Sequence, residues 1–147
     1  MILQPVLSTG HVIKNNYALS TFLLPEEGGC WICSIFKSTT NAEHYILGDQ
    51  CEGWHFLKSA GLSVIKEIMP PMTTDQLHYH EKTRQFFTIL SGVATFGVKE
   101  TECPVIQGKG VIIKPGIRHQ ITNNSHAALE FIVISELESH GDRINIE

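Results

Sequence analysis

From residue 53 to residue 134 the chain is a succession of short β-rich runs cut by turn residues, with little helical periodicity to compete with them. Residues 53–57, 62–69, 85–90, 93–98, 111–113, 119–122 and 129–134 each read as a strand. Pro70-Pro71, Ser91-Gly92, Pro115-Gly116 and Asn123-Asn124 read as turns or strand ends. Many short strands at this spacing predict an all-β antiparallel sandwich or barrel, with jelly rolls among the options.

Length suits one domain: 147 residues can bury a sizeable core without staples. Hydrophobic residues at 42% and charged residues at 18% fit a globular chain and argue against disorder. The net charge of -4, with no basic cluster to offset it, argues against nucleic acid as a partner. No run is long and apolar enough to span a bilayer, so no membrane partner is expected. Met1 to Gly10 carries no positive charge ahead of an apolar run and does not read as a secretory signal. A cytoplasmic location follows as an expectation, and Cys30, Cys33, Cys51 and Cys103 are then expected to be free thiols.

Cys30-Trp31-Ile32-Cys33 invites a redox reading, but such a pair normally needs a helix N-terminus to lower the thiol pKa. This segment reads as strand and no second cysteine pair has ligand spacing, so packing is the expected role of all four. Residues 1–40 are less regular than the remainder. Residues 12–24 and 31–36 could each supply a strand around the turn at Pro25 to Gly29. The expected organisation is an N-terminal extension, 1–40, packing on the barrel or on a partner subunit, and a barrel domain, 41–147.

The chemistry concentrates between Gln76 and Asn123. In a strand, His78 and His80 of His78-Tyr79-His80 face the same side, about 7 Å apart along the chain. Both can reach one metal ion at roughly 2.0–2.1 Å. The polar run Glu81 to Arg84 reads as a turn, after which Gln85 offers an amide oxygen as a third ligand. A third imidazole would come from His119, aimed by the turn Lys114-Pro115-Gly116.

Two motifs carry a family resemblance. His78-x-His80, four residues, Gln85, six residues and Gly92 resemble the first cupin motif. Gly108, five residues, Lys114-Pro115-Gly116, two residues, His119, three residues and Asn123 resemble the second. The family usually has Glu at the position of Gln85 and Pro at that of Lys114. More loosely, residues 41–147 resemble small single-domain bacterial cupins with a Gly-Trp-His strand upstream and a Ser-His-Gly-Asp-Arg tail. Residues 1–40 do not share the resemblance.

The resemblance implies a single antiparallel jelly-roll barrel (a double-stranded β-helix) of six to eight strands. It further implies one divalent metal per chain near the barrel mouth, held by His78, His80, Gln85 and His119, an apolar cavity, and often a homodimer. Zinc, iron, manganese and nickel all suit this donor set, as does copper. The resemblance does not fix the reaction, because cupins include dioxygenases, isomerases, lyases and non-catalytic binders.

Replacing Glu by Gln leaves the site with a full formal +2 where a carboxylate site would carry +1. A higher charge makes a better Lewis acid for a carbonyl or carboxylate and disfavours the oxidised state of a redox metal. Lewis-acid chemistry or anion binding is therefore expected ahead of oxygen activation. The competing reading is a barrel that keeps its histidines as a metal-free polar cluster.

Parity sketches the pocket. Phe87 and Ile89 share a face with Gln85 and should line the barrel behind the metal. Gln76 shares a face with the histidines and is a candidate ligand contact; Asn123 could orient a ligand or satisfy backbone at a strand end. Leu129, Phe131 and Val133 are expected inward, because the other parity would bury Glu130. One of Trp54 and His55 should face the cavity, and Arg118 should point away from it. The tail His140-Gly141-Asp142-Arg143 is expected to form a salt-bridged lid or dimer contact, with Arg143 as an anion clamp the lesser option. No proton-transfer residue stands out. The functional expectation is a metal-dependent cupin that acts on or binds a small oxygen-bearing molecule, as an isomerase, lyase or dioxygenase. The alternative is a non-catalytic module that binds or senses a small ligand.

Overall fold

Leu129, Phe131 and Val133 are buried on one face of a single strand, while Glu130 pairs with Lys66 at 3.0 Å on the other. That two-residue period, with the apolar set inward, organises the whole molecule. The structure is a computed structural model, and it describes residues 35–48, 50–137 and 141–147. Among these, the strands are β1 (Glu43–Leu47), β2 (Cys51–Lys58), β3 (Leu62–Met69), β4 (Thr73–Thr74), β5 (His78–His80) and β6 (Arg84–Ser91). They continue with β7 (Val93–Val98), β8 (Thr101–Ile106), β9 (Gly110–Ile113), β10 (His119–Asn123), β11 (Leu129–Glu136) and β12 (Arg143–Asn145).

Two antiparallel sheets result. One runs β1-β2-β3-β11-β6-β9; the other runs β12-β5-β10-β7-β8, with β4 beside β10. Their inner faces meet in a core that includes Ile65, Met69, Ile89, Phe96 and Phe131. Phe87 and Phe96 meet edge to face at 5.1 Å across the two sheets, the arrangement aromatic quadrupoles favour. Phe96 is fully buried, and truncating a side chain of this kind costs about 3–5 kcal/mol.

All seven predicted strands of residues 53–134 are present, and β3 and β7 have the predicted bounds. The sequence reading did not anticipate β1, β4, β8 and β12. In β8 the reason is chemical: it is an edge strand that contains Pro104, and most of its side chains are exposed, so it lacks alternation. Cys51 is buried in the core as expected, whereas Cys103, on β8, is exposed rather than packed; both are free thiols. The expected strand at 12–24, most of that at 31–36, and Cys30, Cys33 and His140 lie outside the described residues. Among the described residues no helix is long and apolar enough to cross a membrane.

Candidate metal centre and its cavity

The turn at Lys114-Pro115-Gly116 does what its residues dictate. Proline presets the first central position, Gly116 takes φ +75° at the second, and the Ile117 amide donates to the Lys114 carbonyl at 3.2 Å. The Gly116 amide in turn donates to the carbonyl of His80 at 2.7 Å. This bond ties the turn ahead of β10 to the end of β5. Residue His119 then emerges as the direct register partner of His78.

Three imidazoles converge as a result. His78, His80 and His119 are all buried, and one ring nitrogen from each lies within 4.8 Å of the other two. The His78 and His119 ring centroids are 4.3 Å apart. The His78 Nδ1 donates to the Gln76 carbonyl at 2.8 Å, and the His119 Nδ1 donates to the Ile117 carbonyl at 3.0 Å. A carbonyl can only accept, so both Nδ1 atoms carry the proton and both Nε2 atoms keep a lone pair. Burial pushes the pKa of His78 down to about 4, helped by the neighbouring His119 and by Arg143. Burial likewise lowers His119. His78 and His119 are therefore neutral at pH 7, the state that binds metal.

Gln85 approaches from the opposite sheet, on β6. Its Nε2 donates to Ser135 Oγ at 3.3 Å, which orients the amide, while its buried Oε1 has no hydrogen-bond partner. The buried Nε2 of His119 has none either. A buried acceptor left unsatisfied costs about 1–3 kcal/mol. Two such acceptors beside two further imidazoles form a donor set without an acceptor's partner, and a divalent cation fits that deficit.

The other expected ligand contacts separate. Phe87 lines the cavity and meets His119 at 6.0 Å, while Ile89 lies in the core beneath. Gln76 holds His78 through its backbone carbonyl, and its exposed side chain borders a neighbouring cavity. Asn123 is fully buried: its amide donates to the carbonyls of Met69, Pro70 and Ala127, and its oxygen accepts from Ser125. It lines neither cavity beside the histidines, so the strand-end role accounts for it. Arg118 is exposed and points away, as expected.

The cavity beside the histidines measures about 260 Å³. Phe87, Ile121 and Val133 give it an apolar wall, and Tyr45, Glu67, Asp75 and Arg143 a polar one. Arg143, on β12, donates from Nη2 to Asp75 Oδ1 at 2.8 Å and from Nε to Asn145 at 2.8 Å. Asp75 Oδ2 also lies 3.5 Å from His78 Nδ1. Neither Trp54 nor His55 lines the cavity, contrary to expectation. The register is regular through both residues: Trp54 pairs with Lys66 and stacks on His44, while His55 pairs with Ile65 and sits against the ring of Tyr45, which lines the cavity in its place.

Glu67 and Tyr45 were not read from the sequence. In register, Tyr45 faces Gly53 on β2, and Gly53 faces Glu67 on β3. Gly53 has no Cβ, and the tyrosine ring occupies the space one would fill. Its hydroxyl thereby crosses a whole strand to donate to Glu67 Oε1 at 2.8 Å. Desolvation raises Glu67 to about 7, and burial with the adjoining carboxylate pushes Tyr45 well above its ordinary value. One signal was available. Glu67 shares parity with Ser63, Ile65 and Met69, the buried face of β3, and a carboxylate on such a face calls for a reason.

Known proteins agree with this geometry. Residues 65–135 match the family model described as "Cupin domain". No curated protein matches the sequence. A sugar phosphate isomerase from a cupin superfamily of Silicibacter pomeroyi is 18% identical, with a TM-score of 0.62 over 69% of this chain and 74% of that one. A predicted oxalate decarboxylase of Thermotoga maritima is 20% identical, with a TM-score of 0.63 over 69% and 97%. The polyketide cyclase RemF of Streptomyces resistomycificus is 14% identical, with a TM-score of 0.66 over 76% and 84%. At these identities the likeness shows a shared fold. The double-stranded β-helix, the motif match within it and the cluster of three histidines agree: residues 65–135 of this chain form a cupin domain.

Proposed function

We propose that this chain is a metal-dependent cupin that acts on or binds a small oxygen-bearing molecule, with one divalent ion held by His78, His80, Gln85 and His119. The observation that carries the reading is the donor set itself. Three buried imidazoles converge, and both the His119 Nε2 and the Gln85 Oε1 lack a hydrogen-bond partner. A bound ion there supplies Lewis acidity toward an oxygen atom. Because all four ligands are neutral, the site keeps a formal +2 and favours anionic or strongly polarised oxygen ligands.

The chain's own residues shape the remainder. Phe87, Ile121 and Val133 give the cavity an apolar wall, and Arg143 places a guanidinium at it, suited to a carboxylate. The reactions of the structural relatives differ (isomerisation, decarboxylation, cyclisation), so they support a small-molecule site and not one reaction. Residues 1–40 and self-association enter this reading only as an extension and a homodimer to be tested by truncation and sedimentation.

Elemental analysis of protein purified without chelator tests the proposal. About one zinc, iron, manganese or nickel per chain is expected, with loss of it in His78→Ala and His119→Ala. Metal content unchanged in both variants would place the ion elsewhere.

A further inference from the structure

Glu67 is a carboxyl group that metal binding does not use. It sits on β3, in the sheet opposite the histidines, and lines the same cavity. One oxygen is fixed by the Tyr45 hydroxyl; Oε2 makes no hydrogen bond among the described residues. Arg143 and Asp75 complete that wall. Nη1 of Arg143 makes no hydrogen bond among the described residues, and so can meet a ligand carboxylate. At about 260 Å³ the cavity is below the size range of pockets for drug-sized ligands, which suits a small substrate.

We propose that Glu67 is the acid–base residue of this cavity, that Tyr45 is its positioning residue, and that the substrate class is a small 2-oxo acid. The substrate class rests on the metal reading above; the acid–base assignment does not. The ionised Glu67 takes a proton from the carbon beside the substrate carbonyl. The C–H electron pair becomes the carbon–carbon double bond of an enolate, and the carbonyl π pair moves to oxygen. The protonated carboxyl then returns a proton to carbon. Nothing is oxidised or reduced and no co-reactant is consumed. Such a group works best when both protonation states are populated near neutrality, and desolvation brings Glu67 there. The charged or titratable groups acting on it are Tyr45, Asp75 and Arg143, with His78 and His80 on the same cavity and His55 behind the Tyr45 ring; Lys66 and Glu130 pair on the far side of the sheet.

The test uses pyruvate and hydroxypyruvate in deuterated buffer, with zinc-loaded and zinc-free protein, and follows loss of carbon-bound hydrogen by NMR. Metal content and the infrared titration of buried carboxyl groups are read in parallel. The wild type is expected to exchange hydrogen with a midpoint near pH 7. Glu67→Gln is expected to keep its metal, lose the carboxyl that titrates near neutrality and exchange about 10²–10⁴-fold more slowly. Tyr45→Phe removes a bond that stabilises the carboxylate, so its midpoint should move to higher pH. Exchange in Glu67→Gln within threefold of wild type overturns the assignment. So does a zinc-bound wild type that exchanges neither probe, which leaves the metal reading standing. Glu67-dependent exchange in protein that binds no metal supports the assignment and removes the metal reading. If Glu67→Gln fails to fold, an unmoved midpoint in Tyr45→Phe overturns the assignment.

Discussion

Asp142 Oδ2 accepts hydrogen bonds from the backbone amides of Lys82 and Thr83, at 2.9 and 2.8 Å, across 60 and 59 residues of chain. The loop it holds joins β5 to β6 and therefore separates His80 from Gln85. The C-terminal segment thus fastens the loop between two candidate ligands. Bonds to a charged acceptor are worth about 1.5–3 kcal/mol each, at the low end for a partly exposed group. Asp142→Ala is expected to lose about 1–3 kcal/mol of stability and to bind metal more weakly. Thermal unfolding with and without added zinc measures both, and an unchanged midpoint in each condition would remove the role.

Gln85→Glu is expected to tighten divalent metal binding by about tenfold or more, because a carboxylate neutralises charge that an amide cannot. Ser135 can turn its hydroxyl to donate to the new carboxylate, so the rotamer is retained. Competition against a chromophoric chelator gives the ratio. Equal or weaker affinity in the variant would show that residue 85 does not face the ion.

Gly53→Ala places a methyl group where the Tyr45 ring lies. Overpacking of this kind costs about 1–3 kcal/mol. In a Tyr45→Ala background the same substitution should cost far less, and a double-mutant cycle by urea unfolding isolates the difference. Additive costs would mean that the ring and the glycine do not depend on each other.

The pH dependence of stability in metal-free protein has two opposing parts. His78, near 4 in the folded state against 6.5 unfolded, binds fewer protons when folded, so its contribution rises with pH across that window. His119 is shifted the same way. Glu67, near 7 folded against 4.5 unfolded, binds more protons when folded, so its contribution is full below pH 4.5 and is lost as pH rises through 7. The wild type should therefore gain stability only weakly between about pH 4.5 and 6.5. Glu67→Gln removes the falling part and should gain it more steeply. Urea midpoints across that range give both slopes, and parallel curves would contradict the shift of Glu67.

The histidines were legible because their information is local. His78 and His80 are two apart in one strand, and His119 follows a turn whose type its residues name. The inward parity of Leu129, Phe131 and Val133 was legible for the same reason. Glu67 and Tyr45 were not, because their meeting depends on the register of three strands with a glycine in the middle. No window of sequence contains both. Arg143 was named only as the lesser option at the barrel mouth, and deciding for it needed the pairing of β12 with β5. His55 misled because the ring of Tyr45, from a strand the sequence did not announce, lies against it and lines the cavity in its place.

The candidate ligands are divided between the two layers: three imidazoles belong to the sheet of β5 and β10, and Gln85 belongs to the sheet of β6. An ion gripped by all four would act as a rivet through both walls of the barrel. Loading and unloading would then be felt as a change in how freely the layers slide past each other, with the amide as the side that lets go first.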